Sequence, residues 1–287
     1  MQNTLQWYPG HMAKTRRLIE ENLKLIDVVV EILDARIPYS GRNPNFDDMI
    51  KHKPRLVVFN KYDLADPSRT QKWAEWYRTQ GIEVIAVSCA TGYGVNKIAS
   101  AARALIQDKI ERDSEKGRNR TVKIMMVGIP NVGKSSLINR LAGKASTKTG
   151  DRPGVTRGKQ WIRLRGDMEL LDTPGILPPK FENQHLAENL AYTGAIKDEV
   201  VNTELLSYSL LAYLRDNYPD ELCTRYKLTD IQGKEGYELL EMIARKRGFV
   251  VSGGEADTER AANMVLDELR SAKIGKLTLE LPHEYMN

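Results

Sequence analysis

The segment Gly128-Ile129-Pro130-Asn131-Val132-Gly133-Lys134-Ser135 fits the pattern G-x-x-x-x-G-K-[ST], and it lies near the middle of a 287-residue chain. Val122-Lys123-Ile124-Met125-Met126-Val127 before it is rich in β-formers, and Ser135 to Leu141 behind it has helical spacing. A strand, a glycine-containing loop and a helix N-terminus aim backbone N–H groups and the positive end of a helix dipole at a polyphosphate. Such a unit restricts the chain to an α/β fold whose ligands sit at the C-terminal ends of strands. Lys134 is expected to reach the β- and γ-phosphates and the Ser135 hydroxyl to ligate Mg²⁺. Val132, Gly133 and Ser136 are expected to complete the grip on the nucleotide.

Three further motifs each end an apolar run. Asp172-Thr173-Pro174-Gly175 follows Glu169-Leu170-Leu171, which offers a carboxylate at Asp172 for Mg²⁺ and an N–H at Gly175 for the γ-phosphate. Asn60-Lys61-Tyr62-Asp63 ends Arg55-Leu56-Val57-Val58-Phe59. A carboxylate at Asp63 accepts from the ring N–H and exocyclic amine of guanine, whereas adenine offers neither donor there and would leave a buried charge unpaired. That selects GTP and GDP over adenine nucleotides. Ser88-Cys89-Ala90 ends Glu83-Val84-Ile85-Ala86-Val87 and matches the loop whose backbone N–H meets guanine O6. Singly, such matches are weak, a turn capped by Asp being the bland alternative. Together they predict a mostly parallel sheet with flanking helices and one ligand edge. The order is unusual, because the base reader precedes the phosphate loop. This is a circular permutation of the ordinary guanine-nucleotide switch, and it places Asp172 to Gly175 last, directly before a separate C-terminal segment.

With Trp7-Tyr8-Pro9-Gly10-His11-Met12, Asp34-Ala35-Arg36-Ile37-Pro38 and Pro153-Gly154-Val155-Thr156 added, the chain resembles the circularly permuted GTPases of the YlqF group over essentially its whole length. The resemblance implies an assembly factor for the large ribosomal subunit. Such a factor binds precursor particles in the GTP state, is released on hydrolysis, and has a GTPase activity stimulated by the particle and a helical RNA-binding C-terminal domain. Its partners would be the precursor subunit, rRNA and ribosomal proteins, with no DNA. Two other readings stay open: a nucleotide-gated RNA-binding protein with incidental hydrolysis, and a potassium-dependent GTPase of tRNA modification, against which the lack of an appended cysteine or cofactor-binding region argues.

Ile176 stands where Ras-like enzymes use Gln to orient the attacking water, and an aliphatic side chain cannot do this. The family's substitute is the histidine of the N-terminal motif, here His11, whose imidazole could orient or accept from water near neutral pH. The alternative is that Trp7, Tyr8 and His11 only dock the N-terminal helix. Asn131 resembles the residue that coordinates K⁺ in potassium-activated GTPases, where the cation replaces an arginine finger. Thr156 resembles the switch threonine that ligates Mg²⁺ in the GTP state, with Thr147 and Thr149 as rivals.

Residues 1–180 are expected to form the permuted GTPase domain with an N-terminal helical extension over 12–24. Residues 181–287 are expected to form a small helical, RNA-binding domain, with helices near 184–196, 198–215, 235–247 and 257–272. Helices are also expected after Asp66-Pro67 and after Gly94, and Asp113 to Asn119 reads as the permutation joint. Charge divides unequally: 12 Lys+Arg against 19 Asp+Glu in 181–287, leaving 31 against 19 in 1–180. The basic residues flank the phosphate loop, at Arg112, Lys116, Arg118, Arg120 and Lys123 before it and from Lys144 to Arg165 after it, a density that favours an RNA backbone partner. Cys89 and Cys223 give no metal spacing or disulfide framework. The N-terminus has no signal-peptide pattern and no apolar run is long enough to span a bilayer, so a cytoplasmic location is expected.

Overall fold

A buried six-stranded sheet sets the positions of all four motifs. In the computed structural model, which describes residues 17, 19–143, 160–164, 167–173, 175 and 183–285, the strands are β1 (Val28–Asp34), β2 (Arg55–Asn60), β3 (Glu83–Ala86), β4 (Val122–Gly128), β5 (Gln160–Leu164) and β6 (Met168–Asp172). Their order is β3-β2-β1-β4-β6-β5. All pairings are parallel except β5 with β6. Counting from the phosphate-loop strand β4, the order becomes 6-5-4-1-3-2 with only the second strand reversed, so the sheet is continuous across the permutation.

The strands are apolar because helices cover both faces. Every residue of β1 is buried. Val28, Val30 and Ile32 join one core cluster and Val29 another, following the two-residue alternation of a strand. Glu31 is tolerated inside β1 because Arg55 Nε donates to its carboxylate at 2.9 Å, while Arg55 Nη1 reaches Asp47 at 2.7 Å. Ile19 and Leu23, in the described part of the N-terminal helix, pack on the second cluster.

Helix α1 (Pro44–Ile50) was not anticipated. Helix α2 (Pro67–Thr79) begins where the sequence indicates: Asp66 accepts from Ser68 N and Arg69 N at 2.8 and 3.2 Å, and Pro67 takes the first turn. Trp73 on its inner face is fully buried. Helix α3 (Lys97–Ala104) follows Gly94, and α4 (Gln107–Glu115) ends at the permutation joint. That joint is tied down by charge. Asp27, preceding β1, accepts from Lys109 at 2.7 Å, from Arg120 at 2.5 Å and from Lys123 N at 3.1 Å. Burial opposes the charge on Asp27, but these donors together lower its pKa. Arg120 also pairs with Asp113, so it is a staple of the joint rather than a free cation for RNA. Lys123 lies 5.3 Å over the Trp161 ring. Arg112, Lys116, Arg118 and Arg163 are exposed. Lys144 to Lys159 and Arg165 fall outside the described residues. Strand β5 was read only as part of the basic cluster; Ile162 is buried between exposed Trp161 and Arg163, and this edge alternation marks the strand.

Helix α5 (Lys134–Ala142) carries the phosphate loop. Beyond residue 182 come α6 (Gln184–Tyr192), α7 (Thr203–Asn217), α8 (Pro219–Tyr226), α9 (Gly236–Lys246) and α10 (Thr258–Arg270). The four expected helices are present, each shorter than expected, with α7 starting later and ending two residues beyond the expected 198–215, and α8 is additional. Pro219 occupies its first turn. One apolar cluster runs from the sheet into these helices. The chain then returns to the first half. Leu277 N and Leu279 N donate to Leu64 O and Arg36 O, and Trp73 Nε1 donates to Glu280 O at 3.0 Å. The Glu280 carboxylate is fully buried and accepts from Tyr39 N at 2.7 Å, Ser40 N at 2.9 Å, the Ser40 hydroxyl and Asn189 Nδ2 at 3.1 Å.

Candidate nucleotide-binding site

The ends of β4, β6, β2 and β3 bring four loops together. Between β4 and α5 the backbone is shaped by two glycines. At Gly133, φ +94°, a Cβ would lie 2.2 Å from Asn60 Nδ2, and at Gly128 a Cβ would lie 2.7 Å from Ile32 O. Asn131 adopts φ +58°, a left-handed conformation that Asn tolerates better than most residues. Lys134, the first residue of α5, is buried; its Nζ donates to Asp172 Oδ1 at 3.2 Å and to Thr173 O. Burial lowers the Lys134 pKa against the attraction of Asp172. Lys134, Asp172 and the loop amides are therefore one electrostatic unit at the helix N-terminus. Gly175 lies against the loop, where a Cβ would sit 3.0 Å from Pro130 N.

Asn60 joins the phosphate loop to the base-reading loops. It is 1% exposed; its Nδ2 donates to Val132 O at 2.7 Å, and Cys89 N donates to its Oδ1 at 3.1 Å. Lys61 follows in the left-handed region, φ 60°, a conformation that costs a side chain about 1 kcal/mol or more. Its Nζ is held by Asp34 Oδ2 at 3.0 Å. Asp34 also receives Arg36 Nε at 2.9 Å and Arg36 Nη2 at 2.8 Å. Burial would raise the Asp34 carboxyl, but Arg36 and Lys61 outweigh it and hold the group well below the usual carboxylate range. Asp63 lies half-buried in the turn Tyr62–Leu64, and Tyr62 stacks on Tyr93 with centroids 5.5 Å apart. Burial pushes the Cys89 thiol up to about 11, so it is a neutral packing group at pH 7, not a nucleophile.

The donor set suits the expected ions. Asp172 and Ser135 offer the hard oxygens that Mg²⁺ takes. Asn131 Nδ2 donates to Gly194 O at 2.9 Å, so the amide nitrogen, not Oδ1, faces that carbonyl. Among the described residues, no group of three or more His, Cys, Asp and Glu could hold a metal. No helix there is long and apolar enough to cross a membrane.

The structure thus brings together Asn60, Lys61, Asp63, Ser88, Cys89, Ala90, Asn131, Val132, Gly133, Lys134, Ser135, Ser136, Asp172 and Gly175 around one edge of the sheet. His11, Thr156 and Ile176 lie outside the described residues. Sequence reasoning gave no role to the Asp34–Arg36 pair, Gly194 or Arg140. An acid ending a strand beside the base-reading strand was a signal for the first; nothing local marked the other two.

Comparison with known proteins agrees with this geometry. Residues 123–248 match the 50S ribosome-binding GTPase family model, which starts on β4, and residues 49–182 match the RsgA GTPase model, across the base reader and then the phosphate loop. Ribosome biogenesis GTPase A of Priestia megaterium is 49% identical over 98% of both chains. A GDP-bound structure of TM YlqF has a TM-score of 0.67 at 28% identity, covering 93% of this chain and all of that one. GNP-bound YlqF from T. maritima has a TM-score of 0.63 at 28% identity, covering 94% of this chain and 98% of the other. With its permuted motifs converging on a single phosphate and base edge, the chain is a GTPase and belongs to the ribosome biogenesis GTPase A family.

Proposed function

We propose that this GTPase assists assembly of the large ribosomal subunit in the cytoplasm, binding precursor particles with GTP and leaving after hydrolysis that the particle stimulates. The observation that carries this reading is the hydrogen bond from Asn131 in the phosphate loop to Gly194 O beyond α6. It gives the nucleotide site a direct contact with residues 181–287, so a change at the phosphates can reach the domain proposed to hold RNA. The positive balance of residues 1–180 supports a second RNA contact, through the exposed Arg112, Lys116 and Arg118.

Within the site, Lys134 exchanges Asp172 for the phosphates while loop amides hold their oxygens. Ser135, Asp172 and Thr156 would hold Mg²⁺, which would supply positive charge against the phosphates. Asn131 would hold K⁺ through its amide oxygen. Asp63 reads the two guanine donors, the Lys61 stem covers the base, and Ser88-Cys89-Ala90 reads O6. His11 orients the attacking water in place of Ile176.

Co-sedimentation with immature large subunits tests the reading. Association with a non-hydrolysable GTP analogue that is lost with GDP is the expected result. Equal association in both states would favour a plain RNA-binding role, and no association would remove the ribosomal partner.

A further inference from the structure

The loop Ser88-Cys89-Ala90 is fastened from the phosphate side. Arg140, on α5, donates Nε to Cys89 O and Nη2 to Ala90 O, both at 2.6 Å. Its guanidinium packs against Gly92: at φ +89° a Cβ there would lie 2.7 Å from Arg140 Nη1.

The loop's own amides are otherwise engaged. Ser88 N donates to Tyr93 O, Cys89 N to Asn60 Oδ1, Thr91 N to Ser88 Oγ, Gly92 N to Ser88 O and Tyr93 N to Thr91 Oγ1. Among the described residues, the Ala90 N–H is the amide of 88–93 that has no partner. That N–H and the Cys89 carbonyl are the two ends of one trans peptide plane and point in opposite directions. A cation holding the carbonyl therefore fixes where the N–H points, and its charge polarises the peptide toward stronger donation.

We propose that Arg140 is a positioning residue for guanine recognition, holding the Cys89–Ala90 peptide so that the Ala90 N–H faces the six-position oxygen of the base. This rests on the reading that the loop meets O6. It couples base choice to the helix that carries the phosphate loop, since α5 holds the loop through Arg140 while Asn60 holds both loops from the other side.

The test measures dissociation constants of GDP, 6-thio-GDP and IDP for the wild type, Arg140→Ala and Arg140→Lys, beside thermal unfolding. 6-Thio-GDP keeps both donors that Asp63 accepts and weakens only the six-position acceptor, whereas IDP keeps that oxygen and lacks the exocyclic amine. The wild type should prefer GDP to 6-thio-GDP, and Arg140→Ala should shrink this preference by about tenfold, the scale of one good hydrogen bond, while leaving the preference for GDP over IDP intact. Arg140→Lys should recover part, because an ammonium can meet one of the two carbonyls. A wild type indifferent to the sulfur substitution removes the loop from base reading and the proposal with it. A folded Arg140→Ala protein with the full six-position preference leaves the loop's reading in place and overturns the role of Arg140. Equal weakening toward all three nucleotides makes Arg140 a structural residue only and also overturns it.

Discussion

Asp63 and Asp34 show two uses of a carboxylate. Asp63 lies half-buried in its turn, with room to face a ligand. Asp63→Asn replaces an acceptor of two guanine donors by an amide that suits a base with a carbonyl at position two, so competition binding should show xanthosine diphosphate overtaking GDP. Retained guanine preference in the folded variant would place base reading elsewhere. Asp34 is sealed between Arg36 and Lys61 and holds Lys61 in its left-handed conformation. Asp34→Asn leaves the buried Arg36 without its counter-charge, and breaking a buried pair costs about 3–5 kcal/mol. Urea unfolding should show that loss together with weaker GDP binding; unchanged stability would mean the pair contributes little. At Asn131, one end of the amide is fixed on Gly194 O and the other end is the proposed cation ligand. Turnover in K⁺ should exceed turnover in Na⁺, and Asn131→Ala should erase the difference. A wild-type rate indifferent to the cation would leave Asn131 as a loop-shaping contact with the C-terminal half.

Among the elements, the returning segment at 277–285 has the clearest consequence. Burial pushes the Glu280 carboxyl up to about 7, even though Ser40, Tyr39 and Asn189 donate to it. A carboxyl raised above its ordinary value of 4.5 contributes stability that is fully present below that value and is lost as pH rises toward about 7. Denaturant unfolding from pH 4.5 to 7.5 should therefore show a falling component that Glu280→Gln removes. Identical slopes in the two proteins would contradict the assignment. This segment also marks a limit of sequence reading. Strands β2, β3, β4 and β6 were visible because apolar runs end in ligand motifs, and α2 because Asp66-Pro67 is a start signal. Leu277-Thr278-Leu279-Glu280 carries no local sign of its partners, which lie more than two hundred residues away at Tyr39, Ser40, Leu64 and Trp73. The motifs pointed to the loops that carry the site but not to contacts between them, such as Lys134 with Asp172. Nor was the site legible where a side chain meets a distant backbone carbonyl, as Arg140 does at Cys89 and Ala90 and Asn131 does at Gly194.

At the scale of the whole molecule, permutation places the last nucleotide-sensing motif just before the helices of residues 183–285 in the chain, and two of the links that cross between the halves bear on the nucleotide loops. Asn131 meets Gly194 on one side of the site. On the other, Arg36 Nη1 donates to Arg270 O at 3.3 Å, while the Arg270 side chain binds the carbonyls of Ala191 and Tyr192 and the Asp198 carboxylate. The phosphate loop and the base-reading loop thus each have a path to the same C-terminal helices. Ile176 cannot orient water, so docking on the particle should supply His11. The most direct measurement is single-turnover GTP hydrolysis by the wild type and by His11→Ala, with and without immature large subunits. The account predicts that particles accelerate the wild type, and that His11→Ala keeps GTP affinity and particle binding but loses about 10²–10⁴ of the stimulated rate. A wild type that hydrolyses GTP no faster on the particle, or a folded His11→Ala protein with normal stimulated turnover, would contradict it.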